Sequence, residues 1–220
     1  MRDPWVYPDL ESCLGSTAFI NSDHPSIRAR VDDLDLRTRP LWERAVRVFE
    51  FVRDQIEYEF RAKLNPEEYV ASYTLGVGKG FCTQKAVLLC ALGRAAGIPT
   101  ALVLADLRDR SLPERIVRAM RTDVLEYHGI VAFHLDGQWL LADATLSPEV
   151  VKRKHYRSVT FDGRQDALLP STTLTGAPHV EYVRFHGAFA DLPFKRMQRV
   201  FIERFKDMDL EALAKGRYRL

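Results

Sequence analysis

The chain has 220 residues, with 32 Lys and Arg against 30 Asp and Glu and a formal net charge of +2. That is the size of a single domain, with enough chain to bury a core without disulfides or a structural metal. Hydrophobic residues at 46% and charged residues at 28% exclude collagenous, low-complexity and disordered classes, and the even charge balance supplies no molecule-wide field to attract nucleic acid or anionic lipid.

Residues 1–37 are polar and punctuated by Pro4, Pro8 and Pro25, and they read as an arm laid on a core. The N-terminal stretch MRDPWVYPDL lacks the apolar segment of a secretory signal. Leu41, Ala45, Val48, Val52 and Ile56 fall at helical spacing after Pro40, with Thr38 as the expected cap. A short helix follows at Asn65-Pro66-Glu67-Glu68, then three glycines in five residues, Gly76 to Gly80. From about Cys82 to Ala96 the sequence is apolar nearly all round, which marks a central, buried helix. Gly97-Ile98-Pro99 stops it, and Thr100–Leu107 reads as a strand. Ser111-x-x-Glu114 has the capping-box pattern and opens a helix to about Met120.

His128–Leu135 and Gln138–Asp143 are strands joined by Asp136-Gly137, a hairpin signal because both turn positions take φ > 0. Val159–Phe161 and Val180–His186 read as further strands. Phe194, Met197, Phe201, Phe205 and Met208 repeat at helical spacing. Helices interspersed with antiparallel strands give an α+β fold. The expected organisation is one domain: an arm over 1–39, a core over 40–146, additional strands over 147–190 and a C-terminal helix over 191–220.

The glycine-rich loop fits neither phosphate-binding pattern. Gly76-Val77-Gly78-Lys79-Gly80-Phe81-Cys82-Thr83 has the wrong order for a P-loop, and its third glycine is one position early for a dinucleotide fingerprint. What it does precede is a cysteine at a helix start. There the unpaired N–H groups and the positive end of the helix dipole favour thiolate. The N–H of Cys82 is also placed to help hold an oxyanion. Cys90 sits mid-helix among apolar neighbours and Cys13 in the arm has no basic residue nearby, so Cys82 is the expected nucleophile.

A cysteine nucleophile needs an imidazole, and the imidazole an orienting acid. Among six histidines the hairpin selects one. With a two-residue turn, Leu135 pairs with Gln138 and Asp143 falls opposite Ile130. His128 and Asp143 are then same-face diagonal neighbours, about 5–8 Å apart at the backbone. His134 shares that face but lies opposite Trp139, about 13 Å from Asp143.

These blocks resemble the transglutaminase-like superfamily of papain-like cysteine enzymes. Its Cys block has the form G-x-G-x-C followed by an apolar helix ending in G-I-P, here Gly78-Lys79-Gly80-Phe81-Cys82 through Gly97-Ile98-Pro99. Its His block runs H, then D-G-x-W, then D-x-T, here His128, Asp136-Gly137-Gln138-Trp139 and Asp143-Ala144-Thr145. Phe51 to Tyr58 also resembles the family's entry from helix to strand. The resemblance covers roughly 40–146. It implies a papain-like core with Cys at a helix N-terminus packed against an antiparallel sheet carrying His and Asp. It assigns Cys82 as nucleophile, His128 as general base and acid, and Asp143 as the orienting acid. Two departures stand out: Ile130 where many members have an aromatic, and a charged helix inserted over 108–127. No Gln lies between 56 and 83 to supply a second oxyanion donor, which leaves Ser72, Tyr73 and Thr74.

The chemistry implied is acyl transfer through an acyl-thioenzyme, as a peptidase or amidase with water, or as an amide-forming acyltransferase with an amine. The substrate is then a peptide, amide or thioester, carrier-protein-bound thioesters included. The alternative is a catalytically inactive binding module, which predicts that one of the three groups is lost. Nucleic-acid or membrane binding rests on Lys152-Arg153-Lys154-His155-Tyr156-Arg157 and on eight Lys/Arg against four Asp/Glu over 192–220. The expected role of such runs is a solvated face and a packed C-terminal helix. No C-x-x-C and no cluster of ligand spacing points to a metal, so no cofactor is expected. No window approaches the ~18 apolar residues of a membrane span, so no span and no nucleic-acid partner are expected, and the expected location is the cytoplasm.

Overall fold

A computed structural model describes residues 6–61, 63 and 65–205. Helix α1 (Pro25–Asp33) lies within the N-terminal arm, where no helix is expected from sequence; it buries only Ile27 and Val31. Helix α2 (Leu41–Gln55) buries Ala45, Val48, Phe49 and Val52 along one face. Pro40 occupies its cap position and no side chain caps it, Thr38 included. Strand β1 (Glu57–Tyr58) follows, then a 3-10 turn over Pro66–Tyr69 and helix α3 (Ala71–Val77). Gly78, at φ 68°, ends α3 in the left-handed conformation that glycine adopts without a Cβ penalty. Strand β2 (Lys79–Gly80) then pairs in parallel with β1. The glycine-rich segment is therefore a helix end and a strand, and it delivers the chain to helix α4 (Cys82–Ala95).

Helix α4 is buried on every side from Cys82 to Arg94. Helices α1, α2 and α3 and strands of the main sheet all pack against it. That sheet contains strand β3 (Thr100–Asp109), strand β4 (Val124–Leu135), strand β5 (Gln138–Ala142) and strand β6 (Val180–Phe189), in the order β5-β4-β3-β6, all antiparallel. Leu102, Leu104, Val131 and Phe133 join the core around α4, and Ala101, Val103, Ile130 and Ala132 form a second core on the other face. This alternation is the period of two that a sheet covered on both faces requires.

Helix α5 (Glu114–Met120) starts at Pro113 rather than at Ser111, because Ser111 gives both its N–H and its hydroxyl to the Asp109 carboxylate. Helix α6 (Pro148–Lys154) occupies part of 147–190, and Val159–Phe161 forms no strand. Those residues are buried all the same, Phe161 against Phe49 and Phe133. Helix α7 (Phe194–Phe205) buries Phe194, Met197 and Phe201; Met208 lies outside the described residues. Among the described residues no helix is long and apolar enough to cross a membrane.

Candidate active site

Cys82 is the first residue of α4 and is 1% exposed. What brings it to β4 is a glycine. A Cβ on Gly129 would stand 2.7 Å from the Thr83 Cα and 2.9 Å from the Ala86 Cβ, so only glycine lets the first turn of α4 lie this close to the strand. Thr83 fastens the contact by donating its hydroxyl to the Tyr127 carbonyl at 3.0 Å. The helix start is thus fixed against the backbone just before His128.

His128 is aimed by a bulge. Ala105 pairs with His128 but Leu107 pairs with Leu125, so Glu126 and Tyr127 together oppose Asp106. Tyr127 takes φ 58°, and its N–H donates to Asp106 Oδ1 at 3.3 Å. Asp106 is held in turn by His186 Nε2 at 2.7 Å, and the His186 ring stacks on Tyr127 at 4.3 Å.

His128 Nε2 meets Asp143 Oδ2 at 2.6 Å. The hairpin has the expected register, with Leu135 opposite Gln138 and Val131 opposite Ala142, which leaves Asp143 one residue past β5. Asp143 accepts the Thr145 N–H on Oδ1 at 3.0 Å and the Tyr182 hydroxyl on Oδ2 at 2.8 Å. Its own N–H donates to Ala167, and Tyr182 also accepts the Leu169 N–H. Tyr182 belongs to β6, outside the stretch that carries the family resemblance, so sequence spacing gave no sign of it.

All three groups are buried: Cys82, His128 and Asp143 are each 1% exposed. Burial by itself would strip the charge from His128, but the Asp143 carboxylate and the Cys82 sulfur beside it outweigh burial and raise its pKa to about 10. Burial pushes the Asp143 carboxyl up, and the His128 charge with the His128, Thr145 and Tyr182 hydrogen bonds pulls it below the usual range. Both shifts favour the charged pair, an imidazolium facing a carboxylate.

The remaining cysteines and His134 stand apart from this cluster. Cys13 is fully buried in the second core rather than in polar surroundings, and burial raises its thiol pKa. Cys90 is buried inside α4, and burial pushes its thiol up to about 12. His134 packs edge-on against Trp139, 5.0 Å between ring centres. Ser72 is bonded to Asn21, Tyr73 is 39% exposed, and the Thr74 hydroxyl is buried with no partner among the described residues. No cluster of His, Cys, Asp and Glu among the described residues is arranged to hold a metal.

A cavity of about 370 Å³ opens onto His128. Its lining includes Tyr58, Phe60, Thr145, Leu146, Tyr156 and His179.

A family model described as the transglutaminase-like superfamily matches residues 28–144, just over half of the chain. Among solved structures, a candidate cysteine protease from Cytophaga hutchinsonii aligns with a TM-score of 0.48 at 18% identity, covering 64% of this chain and 43% of that one. A candidate protease from Parabacteroides distasonis aligns with a TM-score of 0.39 at 13% identity, covering 60% and 24%. This chain thus spans less than half the length of either structure. No curated protein matches.

Proposed function

The chain belongs to the transglutaminase-like superfamily, and from that premise we propose that it is a cysteine-dependent acyl-transfer enzyme with Cys82 as nucleophile, His128 as general base and acid, and Asp143 as the acid that orients His128. The observation that carries this is the buried His128–Asp143 pair. His128 gives Nε2 to Asp143 at 2.6 Å, and its raised pKa draws on the Cys82 sulfur as well. With Nε2 so engaged, Nδ1 is the ring nitrogen left to exchange a proton with Cys82. An inactive binding module predicts a missing group, and all three are present.

In the proposed cycle the Cys82 thiolate attacks the acyl carbon and forms an Sγ–C bond. The carbonyl oxygen takes up the charge, facing the first N–H groups of α4, which have no acceptor within the helix. His128 gives its proton to the leaving amine or thiol as the old bond breaks, leaving an acyl-thioenzyme and a neutral ring. The ring then takes a proton from the second nucleophile as that nucleophile attacks, and the thiolate departs. Water as that nucleophile makes the protein a peptidase or amidase; an amine makes it an amide-forming acyltransferase.

Alkylation tests the assignment without a substrate. Cys13, Cys82 and Cys90 are all 1% exposed or less, so access does not rank them and selective labelling reports activation. Iodoacetamide at neutral pH with peptide mapping is expected to label Cys82 first, and Cys82→Ser to abolish the fast phase. Labelling of Cys13 or Cys90 ahead of Cys82 would overturn the reading.

A further inference from the structure

The basic run from Lys152 to Arg157 is not simply a solvated face. Helix α6 ends in Arg153 and Lys154, and His155 at φ 55° turns the chain back so that the Tyr156 N–H reaches the Val151 carbonyl. Tyr156 is then buried and packs on the buried His179 at 4.0 Å between ring centres. Arg153, Lys154 and Tyr156 thereby become wall of the cavity that opens onto His128, together with Arg61.

The charges in that wall are unevenly matched. Glu59 is paired with Lys79 at 2.9 Å and with Lys63, and Asp109 accepts Ser111. Glu57 is exposed, and the ion pair on this edge goes to Glu59 rather than to it. Arg61, Arg153 and Lys154 likewise have no carboxylate within ion-pair distance among the described residues, which leaves three unmatched cations against two carboxylates without an ion pair, Glu57 and Asp109. Three atoms of the lining are moreover buried with no hydrogen-bond partner among the described residues: Arg61 Nε, His179 Nδ1 and Glu59 Oε2, the last facing Lys63 Nζ at 3.6 Å. Buried polar atoms are ordinarily satisfied, so unfilled ones in a cavity wall mark places for ligand atoms. Arg61 Nε offers an N–H to an anion. At about 370 Å³ the cavity is at the small end of ligand sites, with room for a compact acyl group rather than an extended chain.

We propose that Arg61, Arg153 and Lys154 hold an anionic group, a carboxylate or a phosphate, carried by the acyl donor close to its reacting carbonyl. The inference deepens the acyl-transfer reading and rests on Cys82 being the thiol acylated.

A pair of reagents isolates the effect. Iodoacetate and iodoacetamide form the same Sγ–CH₂ bond and release the same iodide, but only the first carries a carboxylate. The His128 imidazolium favours iodoacetate in every variant that keeps it, so the comparison is between proteins. In Arg153→Gln/Lys154→Gln the rate with iodoacetate at low salt is expected to fall about tenfold, within the range that charged clefts confer, while the rate with iodoacetamide stays unchanged. The unchanged rate also reports that the variant is folded; should it unfold, Arg61→Gln is read in the same way. In the wild type, succinate or inorganic phosphate is expected to slow iodoacetate, and the stronger competitor identifies the anion. An unchanged iodoacetate rate with Cys82 still labelled, or no slowing by either competitor, overturns the anionic site and leaves the acyl-transfer reading intact. Failure of both reagents to label Cys82 overturns both.

Discussion

His128 and His134 sit six residues apart on one strand, yet their surroundings differ. His128 is bonded to Asp143 and buried, whereas His134 rests on Trp139 near the turn. His128→Ala is therefore expected to slow alkylation of Cys82 by about 10²-fold, the lower end of what a positioned base contributes, and His134→Ala to leave it unchanged. Asp143→Asn should fold normally and slow alkylation too, because an amide no longer fixes the imidazolium. A larger effect from His134→Ala would refute the assignment. The contact of His128 with Asp143 is legible from the hairpin alone, because a two-residue turn fixes register and register fixes which side chains are neighbours. Tyr182 was not legible in the same way. It reaches Asp143 from β6, 39 residues on, and no local pattern says that β6 pairs with β3. The same holds for Asp106 and His186, 80 residues apart.

At the scale of elements, the site depends on how closely α4 approaches β4. Gly129→Ala would drive a methyl into the Thr83 backbone at 2.7 Å, and backbone cannot rotate away as a side chain can. Overpacking of this kind costs about 1–3 kcal/mol. The variant is expected to show a lower midpoint in urea and slower alkylation of Cys82, since the helix start has to shift relative to His128. Unchanged alkylation in a destabilised protein would mean that the approach of α4 does not set the site. The elements that sequence located well, α4 and the β4–β5 hairpin, are those whose pattern and turn chemistry agree. The misread ones show why pattern alone is insufficient. Val159 and Phe161 are buried, as an apolar run suggests, but burial reports packing and not ladder pairing. Ser111 has a capping residue's chemistry, and Asp109 takes its hydroxyl first. The β1–β2 pair is two residues long, too short to leave a period.

Across the whole molecule, α4 is a buried axis that carries two buried cations. Arg94, at its C-terminal end, is matched by the carbonyls of Gly15, Thr100 and Ala190, and so ties the arm, β3 and the segment after β6 together. Lys85, one turn past Cys82, donates to the Ile56 carbonyl at 2.6 Å and holds the entry to β1. Burial lowers its pKa from 10.5 to about 7. Its effect on stability has a definite sign. Below about pH 7 Lys85 is charged in both the folded and the unfolded chain, and folding bears the full penalty of burying that charge. Between about 7 and 10.5 only the unfolded chain binds the proton, so the penalty shrinks and stability rises by about 1.4 kcal/mol per pH unit. His128 acts in the opposite direction. Its folded pKa is raised from 6.5 to about 10, so its contribution is complete below 6.5 and is lost as pH climbs through about 10. From about pH 7 to 10 these two slopes offset each other. Lys85→Met removes one and leaves the other. Relative to the wild type, the variant is expected to lose about 1.4 kcal/mol per pH unit between pH 7.5 and 9, read as the difference between urea unfolding curves at each pH. Titrations shared by both proteins cancel in that difference, as does any fixed change from losing the Ile56 hydrogen bond. Parallel stability curves for the two proteins would show that Lys85 keeps its proton inside the fold.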